Sequence, residues 1–307
     1  MIRVDPHELE CFLTLAEELH FGRTAQRLRL SPSRVSQLVR SLERRIGGPL
    51  FVRTSRRVRL TPVGEQLRAD LVPAWRGAHS ALLRARQTGS GGSTLTVGQQ
   101  GTGANELTGE ILREFDRLCP GWQVRLVELD FSNQFSALRT GTVDVALARL
   151  PVHEPDLTVG AVVVREPRAL AVWRDHPLAT RDRVGLSEIA GEYIFDLPDT
   201  APRYWRDFHA PPITPDGVPL PRRQVVSTPQ QVLSLVGAGQ GVSPMVECMR
   251  RYYARPDIAY VPIADMPHSE VAVVWLTGDR RPQVSAFATT VATVARAHGV
   301  TGRPSPG

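Results

Sequence analysis

The chain of 307 residues contains no lysine: all 37 of its basic residues are arginine. That absence reads as the mark of a GC-rich coding sequence and says nothing specific about function. Cysteine is almost as scarce. Cys11, Cys119 and Cys248 are odd in number and far apart, so neither a metal-ligand spacing nor a disulfide framework exists, and buried or unreactive thiols are expected. No run of 18 or more apolar residues occurs, which argues against a membrane span. The opening MIRVDPHELE lacks the apolar core and small-residue cleavage site of a secretory leader, so the cytoplasm is the expected location. A Gly-rich phosphate loop, a nucleophile elbow and a metal-ligand cluster are also missing, and His153, His176, His209 and His268 stand isolated. No cofactor is expected, and an enzymatic role is set aside.

What is present is charge of one sign at one end. Residues 1–88 carry 16 arginines against 8 acids, whereas residues 89–307 carry 21 against 23. A basic module that binds a polyanion, joined to a module with another task, is the simplest reading. Within the basic end, Leu9, Phe12, Leu13, Ala16 and Leu19 recur at helical spacing, and a second short helix is expected over 23–28. Ser31 is a good N-cap and Pro32 suits the first helical position. The third helix then runs to about Ile46. Val35, Leu38, Val39, Leu42 and Ile46 form its apolar stripe, with Ser33, Arg34, Gln37, Arg40, Ser41, Arg44 and Arg45 opposite. Gly47-Gly48-Pro49 ends it. Two short strands around a basic tip, holding Arg53, Arg56 and Arg57, then make a wing. The stretch 31–59 holds eight arginines against the single acid Glu43. This is the layout of a winged helix-turn-helix.

Thr61-Pro62 starts a further helix, expected to reach about Thr88. Val63, Leu67, Leu71, Trp75, Ala78 and Leu82 give it a stripe that needs a partner, and a second copy of the chain is the simplest one. Pro73 predicts a kink or local break. The linker 89–93, GSGGS, follows. Beyond it strands and helices alternate: strands at 94–98, 123–129 and 144–147, helices at 104–118 and 134–139. A second unit has strands near 169–173, 193–195, 223–226 and 241–245 and helices near 230–237 and 246–253, before a strand at 271–275 and a helix at 283–298. That is the rhythm of a parallel sheet with helices on both faces. The tryptophans 75, 122, 173, 205 and 275 fit scattered core and surface roles.

The stretches Phe21-Gly22-Arg23-Thr24-Ala25-Gln26-Arg27-Leu28, Ser36-Gln37 with Leu42-Glu43, Gly47-Gly48-Pro49-Leu50-Phe51-Val52-Arg53-Thr54 and 56–64 resemble the LysR-type transcriptional regulators. Asp175-His176-Pro177-Leu178-Ala179 and 235–242 (LVGAGQGV) are similar to family segments as well. The resemblance covers the whole length and implies an α/β multidomain fold. A winged helix-turn-helix occupies 1–61, a dimerising linker helix 62–88 and a hinge 89–93. An effector domain follows over 94–300, two-lobed like periplasmic solute-binding proteins, with lobe I about 94–162 and 269–300, lobe II about 163–268, and a disordered tail over 301–307. It also implies double-stranded DNA, a small-molecule effector, RNA polymerase and further copies of the chain, as a dimer of dimers, for partners. Where many members have Gln-Pro after the serine at position 31, this chain has Pro32-Ser33-Arg34.

On this reading Ser33, Arg34 and Gln37 contact base edges, with Arg34 suited to guanine and Gln37 to adenine. Ser31, Arg40, Arg53, Arg56 and Arg57 fix the module on the phosphate backbone. A cleft between α/β lobes binds small molecules at strand C-termini and helix N-termini. Gln100 and Thr102 lie after the first strand, Phe131 after the next and Arg149, suited to a carboxylate, after the third. Arg203, Ser227 and Thr228 are candidates from the second lobe. By resemblance Thr102 matches a ligand-contacting position. The expected function is a regulator that binds an inverted-repeat operator as a dimer or tetramer and responds to a small anionic effector. The alternative is a cytoplasmic small-molecule-binding protein of solute-binding fold without a regulatory role at DNA.

Overall fold

A computed structural model describes residues 5–53, 58–89 and 94–300. The chain divides into two compact units, Met1–His79 and Ser80–Gly307. The first begins with three helices, α1 (Pro6–Glu18), α2 (Phe21–Leu28) and α3 (Pro32–Ile46). Each starts on a side chain that satisfies an orphan amide: Asp5 with Glu8 in a capping box, the His20 ring, and the Ser31 hydroxyl. Left-handed residues, Leu19, Arg29 and Gly47, end them. The stripe of α3, read from sequence as apolar, is buried at Val35, Leu38, Val39 and Leu42 against Phe12, Leu15 and Ala25. The hairpin β1 (Phe51–Arg53) and β2 (Val58–Leu60) pairs Phe51 with Leu60, and the Phe51 and Phe12 rings lie 5.6 Å apart.

Helix α4 (Pro62–Gly89) is continuous through position 73, without the break anticipated there. The neighbouring turns carry the helix across the one missing amide bond. Part of its apolar stripe serves its own unit: Leu67, Leu71, Val72 and Trp75 pack against the three-helix core. The dividing point of the chain therefore falls inside α4 rather than at its start. Its N-terminus is pinned to the turn before the wing. The Thr61 hydroxyl donates to the Pro49 carbonyl at 2.8 Å and accepts from the Gly64 amide at 3.0 Å. Gly64 sits so close to that turn that a Cβ would stand 2.2 Å from the Leu50 carbonyl oxygen.

The second unit has two lobes. Lobe I is a five-stranded sheet with the order β4 (Gln123–Leu129), β3 (Thr94–Gln100), β5 (Val145–Arg149), β12 (Ser269–Leu276), β6 (Leu157–Glu166). Helices α5 (Leu107–Leu118) and α10 (Pro282–Ala297) cover one face of it through Ile111, Phe115, Phe287 and Val291, while α6 (Ser136–Arg139) sets Ala137 and Leu138 among Leu129, Ala146, Ala148 and Val274 on the other. Lobe II pairs β7 (Arg168–Trp173) between β10 (Ser243–Val246) and β11 (Ile258–Pro262), with β8 (Ile194–Asp196) beside β9 (Arg222–Val225). Its helices are α7 (Arg203–His209), α8 (Pro229–Gly237) and α9 (Met249–Tyr252).

The sheets are not wholly parallel, as the alternating pattern had suggested. β3 runs parallel to β4 and β5, but β12 is antiparallel to both β5 and β6, and β7 is antiparallel to both its neighbours. The chain leaves lobe I along β6 and returns along β12, so adjacent strands at the crossing must run in opposite directions. Strand β6 escaped the sequence reading because Gly160 interrupts its apolar run. In the sheet that glycine makes room for Trp275, whose ring would lie 2.7 Å from a Cβ there. Among the described residues no helix is long and apolar enough to cross a membrane.

Gly64→Ala drives a methyl into the Leu50 carbonyl. It is expected to destabilise the first unit by roughly 1–3 kcal/mol, read as a lower thermal midpoint for that transition while the second unit is unaffected.

Candidate functional site

Two places concentrate chemistry. The first is the solvent face of α3, where Ser33, Arg34, Gln37, Arg40 and Arg44 are exposed while Val35, Leu38, Val39 and Leu42 are buried. The first turn is tightly organised: Ser31 Oγ accepts from the Arg34 amide at 3.2 Å and lies 2.9 Å from Ser33 Oγ. Acids are consumed away from this face. Glu17 and Glu18 pair with Arg27, Glu18 also with Arg23, and the buried Glu8 with Arg45. Glu43 Oε1 accepts from the Leu50 and Phe51 amides, tying the end of α3 to the wing. Among the described residues Arg34 and Arg40 form no ion pair. Arg53 is placed by its backbone at the end of β1; Arg56 and Arg57 lie outside the described residues.

The second place is a cavity between the lobes, about 700 Å³ including its mouth. Four of the sequence candidates, Gln100, Thr102, Phe131 and Arg149, line it. Three do not. The Arg203 side chain is exposed and pairs with Asp207. Thr228 is spent as the N-cap of α8, and Ser227 donates its amide to Gln231 Oε1. Ser227 nevertheless closes the rim: its carbonyl accepts from the Phe131 amide at 2.9 Å, a main-chain bond from one lobe to the other. The loop holding Thr102 also differs from expectation. Turns occupy 101–106, so α5 begins only at Leu107 and its N-terminus is not at Thr102.

Arg149 is not a free partner for a carboxylate. Its Nη1 lies 3.1 Å from Glu166 Oε1 and 2.9 Å from Ser269 Oγ, and Glu166 Oε2 accepts from the Cys248 amide at 3.1 Å. Burial and the nearby Glu166 push the Cys248 thiol up to about 12, so it stays protonated and unreactive.

The residues that dominate the cavity were not singled out from sequence. Arg168 is buried, at 2% exposure, in the wall. Its Nη2 donates to the Phe208 carbonyl at 3.1 Å and its Nη1 to His209 Nδ1 at 3.2 Å; its Nε has no partner among the described residues. No carboxylate forms an ion pair with it there. His209 Nε2–H donates to the Leu150 carbonyl at 3.1 Å, leaving Nδ1 as the acceptor of a neutral ring. Burial, then Arg168 and Arg149, hold its pKa well below the usual histidine range. Trp205 donates Nε1–H to the Arg149 carbonyl at 3.0 Å and stands with Phe131, Phe195, Leu197 and Met249 as the apolar wall. The one sequence signal was local: Trp205 and His209, four apart on a short helix, share a face.

A basic helix-turn-helix carried ahead of a two-lobed α/β domain with a cavity between its lobes defines an effector-responsive DNA-binding regulator. The chain belongs to the LysR family. The model for the bacterial regulatory helix-turn-helix protein of the lysR family matches residues 6–65, and that for the LysR substrate binding domain matches 88–296. The HTH-type transcriptional regulator YnfL of Escherichia coli (strain K12) is 31% identical, over 89% of this chain and 93% of that one. ShiR of Corynebacterium glutamicum (strain R) is also 31% identical, over 89% and 93%. Among solved structures, CbnR, a LysR family transcriptional regulator, gives a TM-score of 0.62 at 21% identity, covering 95% of this chain and 99% of that one, a likeness of fold. The protein is thus a DNA-binding transcription regulator that responds to an effector.

Glu166→Gln leaves Arg149 buried without its counter-charge. Breaking a buried pair in this way costs about 3–5 kcal/mol, and denaturant unfolding of the second unit is expected to show a loss of that order. The more conservative exchange of Ser269 to alanine is expected to cost far less.

Proposed function

We propose that the chain binds an inverted-repeat operator as a dimer or tetramer and that a small organic anion with an apolar body occupies its interlobe cavity. The observation that carries the effector reading is Arg168: a buried guanidinium with an unpartnered Nε and no ion-paired carboxylate, in the wall of a largely apolar cavity. A buried charge is costly unless compensated. With His209 neutral and Glu166 committed to Arg149, an incoming carboxylate is the missing counter-ion. Trp205 and Phe131, with ring centroids 6.0 Å apart, suit a planar body.

For the DNA, Ser33, Arg34 and Gln37 are the proposed base-reading residues. Ser31, Arg40, Arg53, Arg56 and Arg57 are the proposed phosphate contacts. The support is the exposure of the α3 face and the diversion of acids away from it. Two-fold symmetry of a dimer favours an inverted repeat. The effector acts by preferring one arrangement of the lobes. Beyond the Phe131–Ser227 bond, that arrangement is held by Arg251 and Tyr252 of lobe II on Glu106 of lobe I, at 2.9 and 2.5 Å. Contact with RNA polymerase, a cytoplasmic setting and the absence of catalysis complete the reading.

Arg34→Ala is expected to cost about 1–3 kcal/mol of operator binding and to relax preference at one base position. Arg40→Ala is expected to weaken all sequences alike and lower the salt slope by about one. Equal loss on operator and random DNA for Arg34→Ala removes the base-reading assignment. For the cavity, calorimetric titration of benzoate and phenylacetate is expected to show binding that Arg168→Met lowers by about tenfold or more; equal affinity in the variant rejects the anion reading.

A further inference from the structure

The cavity has a second unpartnered group of opposite character. Gln100 ends β3, is only 4% exposed and lines the same cavity as Arg168. Its Nε2 donates to the Asp130 carbonyl at 3.3 Å, while its Oε1 is buried with no partner among the described residues. The amide cannot be turned over to relieve this. A flip would set Oε1 against the Asp130 carbonyl, and two acceptors do not bond. The β3 end therefore offers an acceptor, and the β7 end offers a donor and a positive charge.

We infer that the effector is an organic anion carrying, besides its anionic group, a hydrogen-bond donor, a hydroxyl or amine, and that Gln100 selects for that donor. This rests on the reading of the cavity as an anion site. The two ends fix the orientation of the bound molecule: anion on Arg168, donor on Gln100 Oε1, apolar body along Trp205 and Phe131. A molecule with only the anion still neutralises Arg168 but leaves the Gln100 oxygen desolvated. Sites built to bond a polar group discriminate strongly against analogues that lack it. The Gln100 oxygen is held by its own Nε2 bond, so it is organised before the ligand arrives. Thr102 does not duplicate this role, because its hydroxyl faces the Cys248 sulfur at 3.7 Å.

The test uses the full chain and matched probes: benzoate and phenylacetate, each against its 2-, 3- and 4-hydroxy and amino derivatives, titrated calorimetrically into wild type, Gln100→Met and Arg168→Met. The expected result is that at least one derivative binds about tenfold more tightly than its parent acid, and that this preference vanishes in Gln100→Met. A preference below about threefold, or one that persists in Gln100→Met, overturns the donor inference. If the parents still weaken in Arg168→Met, the anion reading survives that outcome. Failure of every acid to bind, or indifference to Arg168→Met, overturns both. The wild-type pairs decide the matter alone if Gln100→Met does not fold.

Discussion

The carboxylate of Glu166 is the constraint on which the effector domain depends. It ends the strand by which the chain leaves lobe I, opposite Ser269, where the chain returns. One oxygen holds Arg149 from the third strand of lobe I; the other holds the Cys248 amide of lobe II. A single side chain thus ties both crossings and both lobes to one point. This also accounts for why Arg149 is unavailable: its charge is already used in the hinge. The next basic group into the cavity, Arg168, has only a neutral ring, a carbonyl and the face of Phe208 for company.

The DNA-reading end solves the opposite problem. It must present positive charge to solvent without scattering it over its whole surface. The acids of α1 neutralise Arg23, Arg27 and Arg45, which leaves the outward face of α3 as the concentrated patch. The caps at Asp5, His20 and Ser31 fix where each helix begins, and Thr61 with Gly64 fixes where the wing meets α4.

Much of this was legible in sequence, for reasons that can be named. Helix α3 carries strong local signals: the Ser31 cap, a proline at the first turn, an apolar stripe of helical period and a glycine stop. Exposure of Ser33, Arg34, Gln37 and Arg40 follows from that stripe alone. In the effector domain the strand ends that hold Gln100 and Arg149 were also visible, because residues at the ends of alternating strands converge. Arg168, Trp205 and His209 were not. Arg168 begins a strand that the sequence identifies, but nothing local says that its charge is buried, since that depends on α7 packing 40 residues later. Nor could spacing show that Arg149 meets Glu166 across two strands. The antiparallel return of β12 is likewise a property of the chain crossing twice, which no window of sequence contains.

The burial of Arg168 has a consequence for how the protein works in a cell of varying ionic strength. Charges at the α3 face act through water, so their hold on DNA weakens as salt rises. A guanidinium at 2% exposure is shielded from mobile ions by the protein itself. With Arg168 holding the effector's anionic group as proposed, sensing and DNA attachment follow different rules within one molecule. On the proposed assignments, a rise in salt loosens the grip on DNA while leaving occupancy of the cavity nearly unchanged, so the signal is still received when its output is muted.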